Sequence, residues 1–377
     1  MKTKILVFLV VAFAASGMAQ ELPVGRDWRV WPFSRSSPWN TPIGSSAQFQ
    51  VVQGWNSLDA GFNPGQWTVS VAIASASDPL VDLYINASPT LGNWGWISSG
   101  FPNCNVSPAD AARLLQASSQ KVVNQGNVWS TLNDKDQGNS SSYLPRDYHK
   151  AKQDFRTKFR MPPGSCASRD TDALMTFIQP DGWALETYAT VTVRNGPVIS
   201  GNTASYYDVK GDGTGWWNGR RASMLPALGG LIRKGEIANG VIPHALAATV
   251  SPKVLKEQAV WPAYAFDTND HYLNCKDCLP MGSLLAIPRD VNLDSLGLSP
   301  AGLVVARAAR DYGVYVVDTG GEGVTFQVEF RNPDARALQL QDAKIVERNL
   351  RRVVNNSKAS PGGGGDPIAP AAPPLAR

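Results

Sequence analysis

The sequence predicts a mainly β protein, a jelly-roll-like β-sandwich with a few packed helices. Three observations lead there: short runs of alternating apolar and polar residues, one well-marked hairpin, and very few segments with credible helix starts. The mixture does not suggest a parallel sheet with regular crossovers.

The first 19 residues read as a signal peptide. Lys2 and Lys4 form a short positive region, Ile5 to Ala15 is an apolar stretch, and Gly17 and Ala19 offer a cleavage site before Gln20. The apolar run is short for a membrane span, and no later segment approaches one. The chain is therefore expected to be secreted, to the periplasm or beyond. Residues 20–356 read as a single β-rich domain. From 357 to 377 the sequence runs through Ser360-Pro361, four glycines and a Pro/Ala-rich stretch, a composition expected to be disordered.

The formal net charge of +4 is misleading. Lys2 and Lys4 carry two of those charges and the stretch from Arg351 a net three, which leaves the body at −1. A nucleic-acid surface requires clustered positive charge, and this body has no such excess. With 43% hydrophobic and 18% charged residues, the chain has the composition of a packed domain.

Four cysteines in an exported protein suggest disulfides, and the favoured pairing is Cys104–Cys166 with Cys275–Cys278. The alternative is zinc held by His271, Cys275 and Cys278, for which no fourth ligand is visible.

In chain order, Val69 to Ala76 and Val81 to Ile85 have strand patterns. Ser107 can cap a helix with Pro108 first and Asp110 in the first turn, ended by Gly126. Ser299-Pro300 opens another helix that runs to Tyr312 and stops at Gly313, and the strand Val314 to Val317 comes directly after it. Leu338 to Val353 has a weaker helical pattern.

The most informative segment is Ala173 to Val193. Met175, Phe177, Leu185, Ala189 and Val191 alternate with a more polar set that includes Asp172, Thr176, Glu186, Tyr188 and Thr190. Pro180-Asp181-Gly182 suits a type I turn with a G1 bulge, which pairs Gln179 with Trp183 and Thr176 with Glu186. Asp172, Glu186 and Tyr188 are then expected on one open face, as in a sugar-cleaving groove; a solvated face is the plainer reading. In that register Asp172 and Glu186 lie about 13 Å apart, beyond the roughly 5–9.5 Å of glycosidase carboxylate pairs, so a second group must come from elsewhere.

Other candidates are weaker. His244 is a polar ring in an apolar run, either catalytic or a satisfied core histidine. His149 is expected at the surface and His271 beside the second cysteine pair. Tyr206 to Gly215 resembles a calcium loop only superficially, because Lys210 occupies a ligand position and Gly219 stands where the closing glutamate belongs. No metal and no cofactor is expected. Of the 12 tryptophans, most fit a core, while Trp94, Trp96, Trp217 and Trp261 are candidates to stack on sugar rings. Arg221 and the reserve carboxylate Asp318 join them as substrate-binding candidates. The sequence lacks a nucleophile elbow, a phosphate-cradling glycine loop and a zinc-protease helix.

Ser37-Pro38-Trp39-Asn40-Thr41-Pro42, the block from Leu231 through Glu236 to His244-Ala245-Leu246, Val260-Trp261-Pro262-Ala263 and Met281-Gly282-Ser283 resemble a group of secreted microbial proteins. That group is associated with polysaccharide breakdown and with attached carbohydrate-binding modules, and the resemblance covers most of the mature chain. It implies a glycan-degrading setting and carries over Asp172 and His244. The pattern has Asp-Gly-His where this sequence has Asp172-Ala173-Leu174, so the histidine is absent here.

The expectation is a secreted polysaccharide-degrading enzyme, a glycoside hydrolase, with Asp172, Glu186, Tyr188 and His244 catalytic. The alternatives are a lyase that cleaves a uronate polymer by β-elimination, and a non-catalytic carbohydrate-binding protein.

Overall fold

The computed structural model describes residues 25–55, 59–86, 93–116, 120–121, 158–201, 204–214, 220–267, 272–321 and 323–376. The expected signal peptide, His149, Trp217, His271 and the end of the first helix at Gly126 lie outside these residues. Strand exceeds helix, 28% against 19%, so the class is mainly β, consistent with a β-sandwich that carries a few helices.

A seven-stranded mixed sheet is ordered Phe49–Gln50, Arg351–Val353, Leu284–Ala286, Val314–Thr319, Leu246–Val250, Gly323–Phe326 and Asp59–Phe62. A four-stranded sheet is ordered Ala204–Asp208, Trp183–Thr187, Leu174–Ile178 and Val69–Ile73. A five-stranded sheet includes Leu80–Asn86 and Val198–Gly201. Alternation along the strands stacks these layers. Val314 and Val316 enter one core with Val304, Val305, Ala308 and Ala309 of the Pro300–Asp311 helix. Tyr315 and Val317 point the other way, into a core with Leu174, Ile178, Ala184 and Tyr207 of the four-stranded sheet. Met175, Phe177 and Leu185 then pack with Val81, Leu83 and Val198 of the five-stranded sheet. The four-stranded sheet is thus covered on both faces.

Local chemistry accounts for the helices. Ser299 Oγ accepts from the Gly302 N–H at 3.1 Å, Pro300 takes the first position, and Gly313 at φ 84° ends the turn. Ser107 caps the Pro108–Gln116 helix through the Asp110 N–H at 3.1 Å. The weaker pattern over Leu338 to Val353 is only helical over Leu340–Asn349. Arg351–Val353 is a strand, because the open edges of Leu284–Ala286 and Phe49–Gln50 offer it a ladder.

The disulfides are Cys104–Cys166 and Cys275–Cys278, so the two cysteines of the zinc alternative are bonded to each other. Among the described residues no helix is long and apolar enough to cross a membrane.

The expected disorder of the tail is corrected. Leu375 bridges to Arg26 and Pro367 to Gly44, and Ala372 is fully buried. Gly362 to Gly365 all have positive φ, and a Cβ at Gly362 would meet the Pro42 carbonyl oxygen at 2.3 Å. The glycines here serve close backbone packing rather than freedom.

Candidate functional site

The hairpin forms with the expected turn. Gly182 has φ 95°, the Gln179 N–H donates to Trp183 O at 2.7 Å, and Thr176 pairs with Glu186. Its polar face is not open. Glu186 is 0% exposed, since the seven-stranded sheet and the chain around Leu228 cover that side. It is therefore no group for touching a polymer. Burial pushes its carboxyl up, against the Tyr207 hydrogen bond and the charge of Arg221.

Beyond Thr187 the ladder is distorted. Ala173 and Ala189 take φ 38° and 43°, and the Ala189 N–H donates to Asp172 O at 2.6 Å. Positive φ at a non-glycine residue costs on the order of 1–3 kcal/mol and is found where a side chain must be re-aimed. Here the paired distortions turn Asp172 and Tyr188 towards each other, and the Tyr188 hydroxyl donates to Asp172 Oδ1 at 3.1 Å.

Asp318, half-buried at the end of Val314–Thr319, joins them. Burial pushes its carboxyl well above the usual carboxylate range, and the charges of Asp267 and Asp172 push it further. Burial likewise raises Asp172 to about 6, with a contribution from Asp170 and a counterweight from the Tyr188 hydrogen bond. Tyr188 is raised by burial and then by the charges of Asp172, Asp318 and Asp267. Burial and like charge therefore favour the protonated form of Asp318 more strongly than that of Asp172.

Beneath them is Arg221. Its guanidinium is buried, which lowers it to about 10, and it donates to Gly229 O at 2.8 Å and Ala227 O at 2.6 Å. Those carbonyls occupy it, so it is an electrostatic partner of Asp318 and Glu186 rather than a surface clamp. The site thus gathers Asp172, Tyr188, Asp318 and Arg221 of the expected residues. Sequence reasoning missed Asp267. The signal that flagged Asp318, a lone acid after an apolar run, recurs at Tyr264-Ala265-Phe266-Asp267.

His244 does not join this group. Its Nε2 faces Glu236 Oε1 at 2.8 Å and its Nδ1 faces Ala245 O at 2.9 Å. Glu236 Oε2 accepts from the Arg233 N–H, and Arg233 Nε donates to Glu329 at 2.8 Å. Both ring nitrogens meet acceptors, an arrangement that favours the protonated ring and leaves no free nitrogen for proton transfer. The expectation that His244 is catalytic together with Asp172, Glu186 and Tyr188 is corrected on that ground.

The tryptophans divide. Trp94 and Trp96 belong to the Asn93–Ser98 helix rather than a loop. Trp96 stacks on Phe101 with centroids 4.4 Å apart and donates to Pro102 O at 2.8 Å, so its ring is engaged in packing. The Trp94 side chain lies outside the described structure. Trp261 is half-buried at the start of the chain that leads to Asp267.

No family model, curated protein or solved structure matches the chain. The chemistry of the site must speak for itself. Paired carboxylates with raised and unequal affinities for protons can supply an acid and a base together.

Proposed function

We propose that the chain is an exported glycan-degrading hydrolase that uses Asp318 as general acid and Asp172 as the base or nucleophile. The observation that carries this reading is a pair of half-buried carboxylates, both pushed up by burial, with Asp172 hydrogen-bonded to the Tyr188 hydroxyl and its charge raising Asp318 further. Glycoside hydrolysis needs two carboxyl groups in opposite protonation states across one bond. Asp318, in the more costly environment for charge, keeps its proton and delivers it to the leaving oxygen. Asp172, with the Tyr188 hydrogen bond favouring its ionised form, activates water or attacks the sugar carbon. Tyr188 fixes the Asp172 carboxylate, and Asp267 keeps Asp318 protonated by like-charge repulsion.

The acidic surroundings fit a neutral polysaccharide better than a uronate polymer, whose carboxylates they would repel. Export is supported by the charged and apolar pattern of residues 1–19 together with two disulfides.

The test is incubation with a panel of neutral, amino and uronic polysaccharides, with both reducing ends and ultraviolet absorbance followed. Hydrolysis raises reducing ends without absorbance. Absorbance from unsaturated sugars identifies a lyase instead, and binding without turnover identifies a carbohydrate-binding protein.

A further inference from the structure

The two disulfides differ in what they can do for the fold. Cys104–Cys166 joins residues 62 apart, whereas Cys275–Cys278 joins residues 3 apart. A cross-link stabilises mainly by restricting the unfolded chain, and the restriction grows with the loop it closes. Cys275–Cys278 closes by far the shorter loop and contributes the less to stability.

The chain on both sides of the short pair is held without it. Directly after Cys278, Leu279–Met281 pairs in parallel with Leu255–Ala259. Before Cys275, the Leu273 N–H donates to Pro252 O at 3.0 Å and the Asn274 N–H to Leu255 O at 3.1 Å. Asn274 Oδ1 accepts from the Glu257 N–H at 2.7 Å, and within the turn the Cys278 N–H donates to Cys275 O at 3.2 Å. These bonds hold the two cysteines near one another when the sulfur–sulfur bond is open.

The two cysteines are also unequal. Cys275 is half-buried between exposed Asn274 and Lys276, whereas Cys278 is 1% exposed. A thiolate from outside therefore meets Cys275 first. The Cys275 N–H donates to Cys278 Sγ at 3.1 Å, so the sulfur that would leave already has a donor for its negative charge. Exchange is faster when the leaving sulfur is stabilised as a thiolate, and it requires access to the sulfur under attack.

We propose that Cys275–Cys278 is a thiol–disulfide exchange site for a dithiol, entered at Cys275. One thiolate of the dithiol attacks Cys275 Sγ and forms a mixed disulfide, while the Cys275–Cys278 bond breaks and its electron pair passes to Cys278 Sγ. The second thiolate of the dithiol then attacks its own sulfur in the mixed disulfide and releases Cys275. The dithiol ends oxidised to a disulfide, the pair ends reduced, and the two protons of the dithiol end on Cys275 and Cys278. The exchange is independent of glycan turnover.

The folded full chain is treated with dithiothreitol, and the thiols that open are trapped with iodoacetamide and identified by peptide mass. Cys275 and Cys278 are expected to open about tenfold faster than Cys104 and Cys166, with the far-ultraviolet circular dichroism unchanged. Oxidised glutathione reads the order of access: Cys275 in Cys278→Ser takes it up about tenfold faster than Cys278 in Cys275→Ser. Reduced thioredoxin at the same thiol concentration separates the sources of the dithiol. A rate above that of dithiothreitol assigns the site to a protein dithiol, and an equal or lower rate assigns it to a small one. Equal opening of the two disulfides, loss of the fold when the short one opens, or faster uptake at Cys278 overturns the proposal. The wild-type measurement decides the matter alone if either variant does not fold.

Discussion

The Tyr188 hydroxyl and the Asp172 carboxylate meet at 3.1 Å across the point where the hairpin ladder is distorted by two alanines in the left-handed region. The bond favours the ionised carboxylate, so it works against the burial that has raised Asp172 to about 6. Tyr188→Phe removes it, and the Asp172 midpoint rises by about one further pH unit. Carboxyl NMR measures the shift, and the acid limb of the rate profile moves up by the same amount. A midpoint that stays put contradicts the role given to Tyr188.

Asp267 is the residue whose charge, after burial, contributes most to raising Asp318. Asp267→Asn therefore lowers the Asp318 midpoint, and the alkaline limb of the rate profile moves to lower pH. Turnover at the optimum changes less than in Asp318→Asn, because the proton donor itself remains. Equal loss in both variants would place Asp267 in contact with the reacting bond instead.

The Glu236–His244 pair makes a separate prediction about stability. Burial works to lower His244, but the charge and hydrogen bond of Glu236 and the Ala245 carbonyl outweigh it, and the net direction is upward. A raised histidine stabilises fully below its unfolded value of about 6.5 and loses that contribution as pH rises through the folded value. The urea midpoint should fall as pH rises above the unfolded value and through the raised folded one, and Glu236→Gln should flatten that slope. At about pH 6 the substitution costs roughly 3 kcal/mol, because it leaves a buried cation unpaired.

The tail from 357 onward is predicted to matter for folding. The buried Arg26 guanidinium donates to Pro373 O at 2.8 Å as well as to the carbonyls of Trp31, Pro32 and Phe33. Ending the chain after Asn356 removes one acceptor and uncovers the cation. A fall in Tm of roughly 5 °C or more is expected by calorimetry. An unchanged Tm would mean that the strap contributes nothing.

The elements that were legible are those specified by neighbours in sequence. Pro180-Asp181-Gly182 sets its own turn and, through it, the pairing of Thr176 with Glu186. Ser299-Pro300 starts its helix by the same kind of local chemistry. The exposure of Glu186 was not legible, because Leu228 and the seven-stranded sheet arrive from far along the chain. Asp318 and Asp172 are brought together by the stacking of two sheets, which no spacing encodes. His244 stands in an apolar run whether it is catalytic or paired, and only the approach of Glu236 decides. The tail shows that composition alone can mislead: its glycines occupy positive φ beside Pro42 and Ala47.

The most direct test is the release of reducing ends from the best polysaccharide of the panel by the wild type and by Asp318→Asn and Asp172→Asn. Each substitution is expected to lower kcat by about 10² to 10⁴ while binding to the polymer persists. Near-wild-type turnover in either variant, or products that absorb in the ultraviolet, would contradict hydrolysis by this pair.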